Sequence, residues 1–197
     1  MHMPRDWAVL HDKLDTLIRQ GKGGEAQLIL EKLQDEKIPR EWVARFALVA
    51  RRADRPQFGL RVLNPIVRAD RKLPMQATPE EKAEYAQCLI RLGASEEASL
   101  LLEGLSVKKL PQVLLYRASA HLTRWEYAEA LPLLKFYVKA KGLTPYQRLV
   151  GKVSYKTQQI SDGLRELPKQ KENRSYVRWP GDVEVSRARG LVVLRRF

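Results

Sequence analysis

The chain has 197 residues, with 36 lysines and arginines against 23 aspartates and glutamates, giving a formal net charge of +13. This length suits one ordinary domain or a short repeat array, and 44% hydrophobic residues suffice for a core. Cys88 is the only cysteine, which excludes an intrachain disulfide. The start lacks the apolar segment of a signal peptide, and no apolar stretch reaches the roughly 18 residues of a membrane span. We therefore expect a cytoplasmic protein.

The N-terminal segment predicts a helix hairpin. Between residues 6 and 20, apolar residues recur at three- and four-residue steps, which indicates a helix with one apolar face. The glycines of segment 21–24 end this helix, because glycine readily adopts the left-handed conformation at a helix C-terminus. A second apolar series over 25–34 predicts its partner helix.

A second hairpin is predicted after Pro39, since proline suits the first turn of a helix. Its turn falls at 54–56, and its second helix covers 58–67. Pro65 lies inside that second helix and is expected to end or kink it. A polar connector over 68–77 separates this hairpin from the next one.

The third hairpin has the clearest helix start. Residues 78–81 supply a threonine cap, a proline at the first position and two acids in the first turn. This helix is predicted to run to Leu92 and to stop at Gly93, and Ser95 opens the partner helix. The third pair therefore begins and ends on recognisable signals.

The fourth hairpin is predicted over 111–124 and 126–140. A fifth pair is predicted to begin with a helix over 144–159, and segment 161–164 to start its partner. Pro168 and the charged residues after it cut that partner short. The pattern then changes, which places a boundary near residue 167.

The last segment, 168–197, is basic and has two short runs of strand-like composition, 183–185 and 191–194. A short β-hairpin, a capping segment and a disordered tail all fit this composition. The predicted organisation is thus a helical domain over 1–167 and a basic tail or capping segment over 168–197.

Small residues recur in the second helices with gaps of 33, 39, 32 and 33 residues, at Ala26, Gly59, Ala98, Ala130 and Gly163. Twelve positions before each of these lies another residue, small in four of the five cases: Leu14, Ala47, Ala86, Ala118 and Gly151. Small residues at a fixed spacing are what a tightly packed helix pair requires where its helices touch.

Together with the segments 91–98 and 125–131, this spacing resembles the tetratricopeptide repeat family over roughly residues 6 to 167. The resemblance implies an all-α fold, a helix-turn-helix solenoid of about five degenerate repeats, to which the composition of the last segment adds a short irregular or β-like C-terminal tail. Another helix-pair solenoid and a plain helical bundle are the alternatives.

In that family the first helix of each pair lines a concave groove that binds a partner segment. Carried onto this chain, the resemblance implies a groove with apolar patches and a basic rim, formed by Arg19, Leu48, Arg51, Arg52, Ile90, Arg91, Leu122, Arg148, Lys152, Tyr155 and Lys156. Because arginine matches carboxylates and phosphates, we predict an acidic, partly apolar peptide as the ligand.

We predict a scaffold, adaptor or chaperone rather than an enzyme, with no cofactor and no metal. Cys88 and His121 are expected to pack rather than react. Nucleic acid is the alternative partner, through the basic surface and the tail, whose arginines alternate with Tyr176 and Trp179. A membrane surface is less favoured, and self-association through the C-terminal repeat is a further prediction.

Overall fold

The computed structural model describes residues 6–68 and 76–166, and all regular secondary structure in those ranges is α-helical. The predicted β-like runs at 183–185 and 191–194 lie outside the described residues. The helices are α1 (Trp7–Arg19), α2 (Gly23–Lys32), α3 (Arg40–Arg52), α4 (Pro56–Val67), α5 (Pro79–Arg91), α6 (Ser95–Glu103), α7 (Gln112–Thr123), α8 (Tyr127–Lys139) and α9 (Pro145–Glu166). The all-α class is therefore confirmed for the described residues.

Helix starts follow the capping signals of the sequence. The carboxylate of Asp6 accepts hydrogen bonds from the backbone N–H groups of Ala8 and Val9, at 3.0 and 3.1 Å. Before α5, the hydroxyl of Thr78 accepts from the Glu81 N–H at 3.2 Å, and the Glu81 carboxylate accepts from the Thr78 N–H at 2.7 Å. These bonds satisfy donors that the first helical turn otherwise leaves unpaired.

The turns that join α1 to α2, α3 to α4, α5 to α6 and α7 to α8 share one backbone geometry. In the first of them, the Lys22 N–H donates to the Leu17 carbonyl at 2.9 Å and the Gly21 N–H donates to Ile18 at 3.1 Å. The same two bonds recur in the other three turns, a pattern known as the Schellman motif. Each motif has one left-handed residue: Gly21 (φ 75°), Asp54 (φ 59°), Gly93 (φ 89°) and Trp125 (φ 65°).

Each left-handed residue precedes a small residue of the second helix by five positions. The distance along the sequence from the turn to the contact between the two helices is therefore the same in all four hairpins. The small residues of these four hairpins are buried where their two helices touch, as expected. In the second hairpin, a Cβ atom placed on Gly59 would lie 3.5 Å from the Ala47 Cα, which shows how closely the helices approach. The spacing in the sequence thus reports a real contact.

Replacing Gly59 with alanine is expected to lower the free energy of unfolding by about 1–3 kcal/mol, because the new Cβ would lie 2.6 Å from the buried Cys88 Sγ. The double variant Gly59→Ala, Cys88→Ala should recover most of the loss. Gly24→Ala in α2, where a Cβ meets nothing within 4 Å, is the matched control and should cause no loss. Urea unfolding followed by circular dichroism measures all three; equal effects at Gly59 and Gly24 would contradict this packing.

The core runs between hairpins as well as within them. The first helices contact each other in sequence, α1 with α3, α3 with α5 and α5 with α7, and one buried cluster extends from Leu14 on α1 to Ala120 on α7. A smaller cluster of Ala118, Ala130 and Leu134 joins α7 to α8, and Tyr155 of α9 packs against it. Adjacent hairpins therefore share buried surface.

One predicted helix end is wrong. The predicted break between Gln159 and Ser161 is absent, and α9 continues as one helix to Glu166 with Gly163 inside it. No glycine turn precedes Ser161, and a glycine within a helix costs only about 1 kcal/mol. In α4, the predicted end of the helix at Val67 is confirmed, and Pro65 lies inside the helix without ending it.

Candidate partner-binding surface

The predicted basic residues of α1 and α3 surround an acid. Asp15 on α1 accepts from Arg19, one turn further along the same helix, at 2.6 Å, and it also pairs with Arg52 of α3. The Asp15 side chain is mostly buried, whereas that of Arg19 is largely exposed. Arg19 and Arg52 therefore neutralise a carboxylate of this chain in the described structure.

A second acid joins three consecutive first helices. Glu84 on α5 accepts from the Arg51 guanidinium of α3 at 3.1 and 3.2 Å, and from the Tyr116 hydroxyl of α7 at 2.6 Å. The side chains of Arg51 and Glu84 are 13% and 11% exposed. Arg51, predicted to line the groove, instead forms a buried contact between hairpins, which we call the Glu84 network (Arg51, Glu84 and Tyr116).

The electrostatics of the Glu84 network favour the charged pair. Burial acts to lower the pKa of Arg51, but the Glu84 carboxylate and smaller contributions outweigh it, so the pKa is raised above its usual value. Burial, assisted by the same carboxylate, raises the pKa of the Tyr116 hydroxyl. The tyrosine therefore stays protonated, and its hydroxyl donates a hydrogen bond to Glu84.

Glu81 on α5 is a third acid that pairs with an arginine of a neighbouring first helix. The sequence interpretation did not single it out as a partner. The Arg40 guanidinium on α3 forms two hydrogen bonds with its carboxylate, both at 3.2 Å. The acids Asp15, Glu81 and Glu84 all lie on first helices, next to an arginine of a neighbouring first helix. The available signal was their position on the same helices as the predicted basic residues.

The apolar members of the predicted groove differ in exposure. Ile90 is 4% exposed and belongs to the core. Leu48 and Leu122 are partly exposed, and Leu122 packs against the small cluster around Ala118. The structure thus leaves the two leucines partly accessible and Ile90 inaccessible.

Arg91, at the end of α5, is partly exposed and differs from the other arginines. Its Nε atom is buried without a hydrogen-bond partner among the described residues. Burial, followed by the positive charge of Arg51, lowers its pKa from the usual value. Arg91 forms no ion pair with a described carboxylate.

The predicted residues of α9 lie at the other end of the described chain. Arg148 donates to the Val138 carbonyl at 3.3 Å, and the Tyr155 hydroxyl accepts from Gln159 at 3.0 Å. Lys152 and Lys156 are exposed, and neither has an ion pair with a described residue. These two lysines are available to an acidic ligand.

His121 and Cys88 take structural positions. His121 contacts the Glu126 carboxylate at 2.8 Å, and hydrogen bonds from Arg124 and then His121 lower the pKa of Glu126 to about 2. Burial raises the pKa of the fully buried Cys88 thiol to about 12, so the thiol stays protonated at neutral pH. The predicted packing role of Cys88 is confirmed.

Two kinds of site are absent from the described ranges. No group of three or more histidine, cysteine, aspartate or glutamate side chains there is arranged to hold a metal ion. No described helix combines the length and apolar character needed to cross a bilayer. The described chain is thus an all-helical protein of packed hairpins with arginine–carboxylate contacts between its first helices.

Comparison of the chain with protein-family models, curated proteins and solved structures found no match.

Proposed function

We propose that the protein is a non-enzymatic interaction module, a scaffold, adaptor or chaperone, that binds an acidic, partly apolar segment of a partner protein. The observation that carries the proposal is the repetition of one hairpin geometry, with the same two turn bonds in four successive hairpins. Repeated hairpins place equivalent residues of successive first helices in a row and create extended binding surfaces. We propose a tetratricopeptide-like solenoid of this kind.

The distribution of charge supports an acidic ligand. The acids Asp15, Glu81 and Glu84 are already occupied by arginines of the same chain. Cations without an ion pair to a described residue include Arg91, Lys152 and Lys156, and the whole chain carries a net charge of +13. Complementary charge steers association and favours the correct partner class.

Selection from a phage-displayed library of random peptides on the full-length protein tests this function. Peptides that combine acidic with apolar residues should be enriched. Arg91→Gln should weaken the selected peptides by at least about fivefold, the usual size of a substantial interface contact. Lys109→Gln, an exposed residue between α6 and α7, is the control and should leave their affinity unchanged. Enrichment of basic peptides, or of none, contradicts the proposal.

The alternative function, binding of nucleic acid, is favoured by the net charge of +13 and is tested on the same purified protein. A labelled oligonucleotide of about 20 nucleotides is titrated at several salt concentrations. Tight binding that weakens steeply with salt, without enrichment of acidic peptides, would favour nucleic acid as the ligand. Absence of oligonucleotide binding at low salt removes that alternative.

A further inference from the structure

Helix α9 has one face packed against the rest of the protein. Gly151 is buried on this face, and a Cβ atom there would lie 2.6 Å from a ring carbon of Tyr137 on α8. Tyr155 packs against the small cluster, and Gln158 is 1% exposed. Residues 151, 155 and 158 follow three- and four-residue steps, so they form a single stripe along the helix.

The opposite face of α9 carries an apolar pair beside two lysines. Leu149 and Val153 are 59% and 41% exposed and lie one turn apart. Lys152 and Lys156 are also exposed and one turn apart, so they form a parallel row beside the apolar pair. We call these four residues the α9 outer face. Within the described residues, the main helix contact of α9 is with α8, on the other side.

The charge of this part of α9 has one sign. Residues 145–159 contain Arg148 and the two lysines but no aspartate or glutamate. In α5, by contrast, acids of the helix pair with arginines of α3. The α9 outer face therefore lacks a negative counterpart along this stretch of its own helix.

We propose that the α9 outer face binds an acidic amphipathic helix of a partner protein. This inference rests on the proposed function and assigns a place and a ligand class to it. Leucine-sized side chains at three- and four-residue spacing on the partner would cover Leu149 and Val153, in the manner of helix-to-helix packing. Glutamates or aspartates along one side of that stripe would meet Lys152 and Lys156.

A second copy of this chain and a nucleic acid match the α9 outer face less well than an acidic amphipathic helix does. A second copy of this chain that offered the same stretch of α9 would bring lysines towards lysines, which costs free energy. A nucleic-acid backbone would neutralise the lysines but would leave Leu149 and Val153 in water. An acidic amphipathic helix satisfies both the charged and the apolar residues.

A synthetic helical probe of about 20 residues tests the proposal, with leucines at three- and four-residue steps and glutamates at most other positions. A control peptide has the same composition, with the leucines spread over all faces of the helix. Fluorescence anisotropy with the full chain should give at least about tenfold tighter binding of the amphipathic probe. Equal affinity of the two peptides would overturn the role of the apolar pair.

Variants of the chain locate the site. Lys152→Glu with Lys156→Glu should weaken the amphipathic probe by at least about tenfold, and Leu149→Gln with Val153→Gln should do the same. The matched control is Lys135→Glu with Lys139→Glu, an exposed pair at the same spacing on α8, which should change affinity less than about twofold. All substituted residues are exposed or largely exposed, and circular dichroism should show unchanged helix content.

The results of these experiments can contradict the α9 binding site without contradicting the proposed interaction function. If the probe responds to Arg91→Gln but not to the α9 variants, the interaction module stands and the α9 outer face is overturned. If both lysine pairs weaken binding equally, the attraction is unspecific and the α9 site is also overturned. Failure of the probe to bind overturns the α9 site, whereas failure of the peptide selection overturns the function itself.

Discussion

Replacing Glu84 with glutamine is expected to lower the free energy of unfolding by about 3–5 kcal/mol, because it leaves the buried guanidinium of Arg51 without its counter-charge. The glutamine has nearly the same shape, so the loss reports charge and hydrogen bonding rather than a cavity. Urea unfolding followed by circular dichroism measures the change. Since domains are stable by only about 5–15 kcal/mol, this is a large fraction of the total.

Glu80→Gln provides the matched control for Glu84→Gln. Glu80 is exposed on the same helix, so its replacement should change the free energy of unfolding by less than about 0.5 kcal/mol. Replacing Arg51 and Glu84 together with methionines should restore much of the loss, since a buried ion pair is often replaceable by apolar residues. A loss below about 1 kcal/mol for Glu84→Gln would mean that Arg51 reaches water.

Replacing Phe46 with alanine should also lower the free energy of unfolding by about 3–5 kcal/mol, through lost burial and the cavity left behind. Phe46 on α3 is fully buried and makes edge contacts with the rings of Trp7 and Trp42, whose centroids lie 5.6 and 6.5 Å from its own. It therefore connects the first two hairpins. The midpoint of urea unfolding should fall without a change in slope.

The control for Phe46→Ala is the same substitution at Phe136 on α8, which is 63% exposed. Its effect on the free energy of unfolding should stay below about 0.5 kcal/mol. If the two alanine variants were equally stable, Phe46 could not be a core residue. A comparable loss at Phe136 would instead place that ring in a buried contact.

Most helix boundaries could be predicted because they depend on local chemistry. Thr78 caps α5 and Gly93 ends it, and both effects are confined to a few residues of the chain. The left-handed conformations of Asp54 and Trp125 were not foreseen from residue type. Trp125 is a bulky side chain that disfavours positive φ, so only the hairpin register indicated that its position matches Gly21 and Gly93.

The error at α9 also has a local cause. Segment 161–164 resembles a helix start in its composition, yet no turn residue precedes it that would end the helix before. Ser161 and Asp162 would favour the start of a helix after a turn, but inside a continuing helix they occupy ordinary helical positions and start no new helix. The first four hairpins differ from this segment in having a left-handed residue at the break.

The candidate surface was less predictable than the fold. The repeat spacing of the sequence identified the first helices. It could not show which arginines and lysines form ion pairs with acids of the same chain. The pairing of Arg51 with Glu84 depends on how far α3 and α5 are shifted along each other, and contacts in the core set that shift. The lack of an ion pair at Lys152 and Lys156 within this stretch follows from the sequence, since residues 145–159 contain no acid.

The Glu84 network has a consequence for how the protein unfolds. In a simple linear array each unit contacts only its neighbours, and end units can open independently of the middle. The Glu84 carboxylate on α5 bonds to both neighbouring hairpins at once, through Arg51 on α3 and Tyr116 on α7, so opening any of these three hairpins exposes the same buried charge. The second, third and fourth hairpins should therefore open as one cooperative unit, whereas α1 and α2 are able to fray separately.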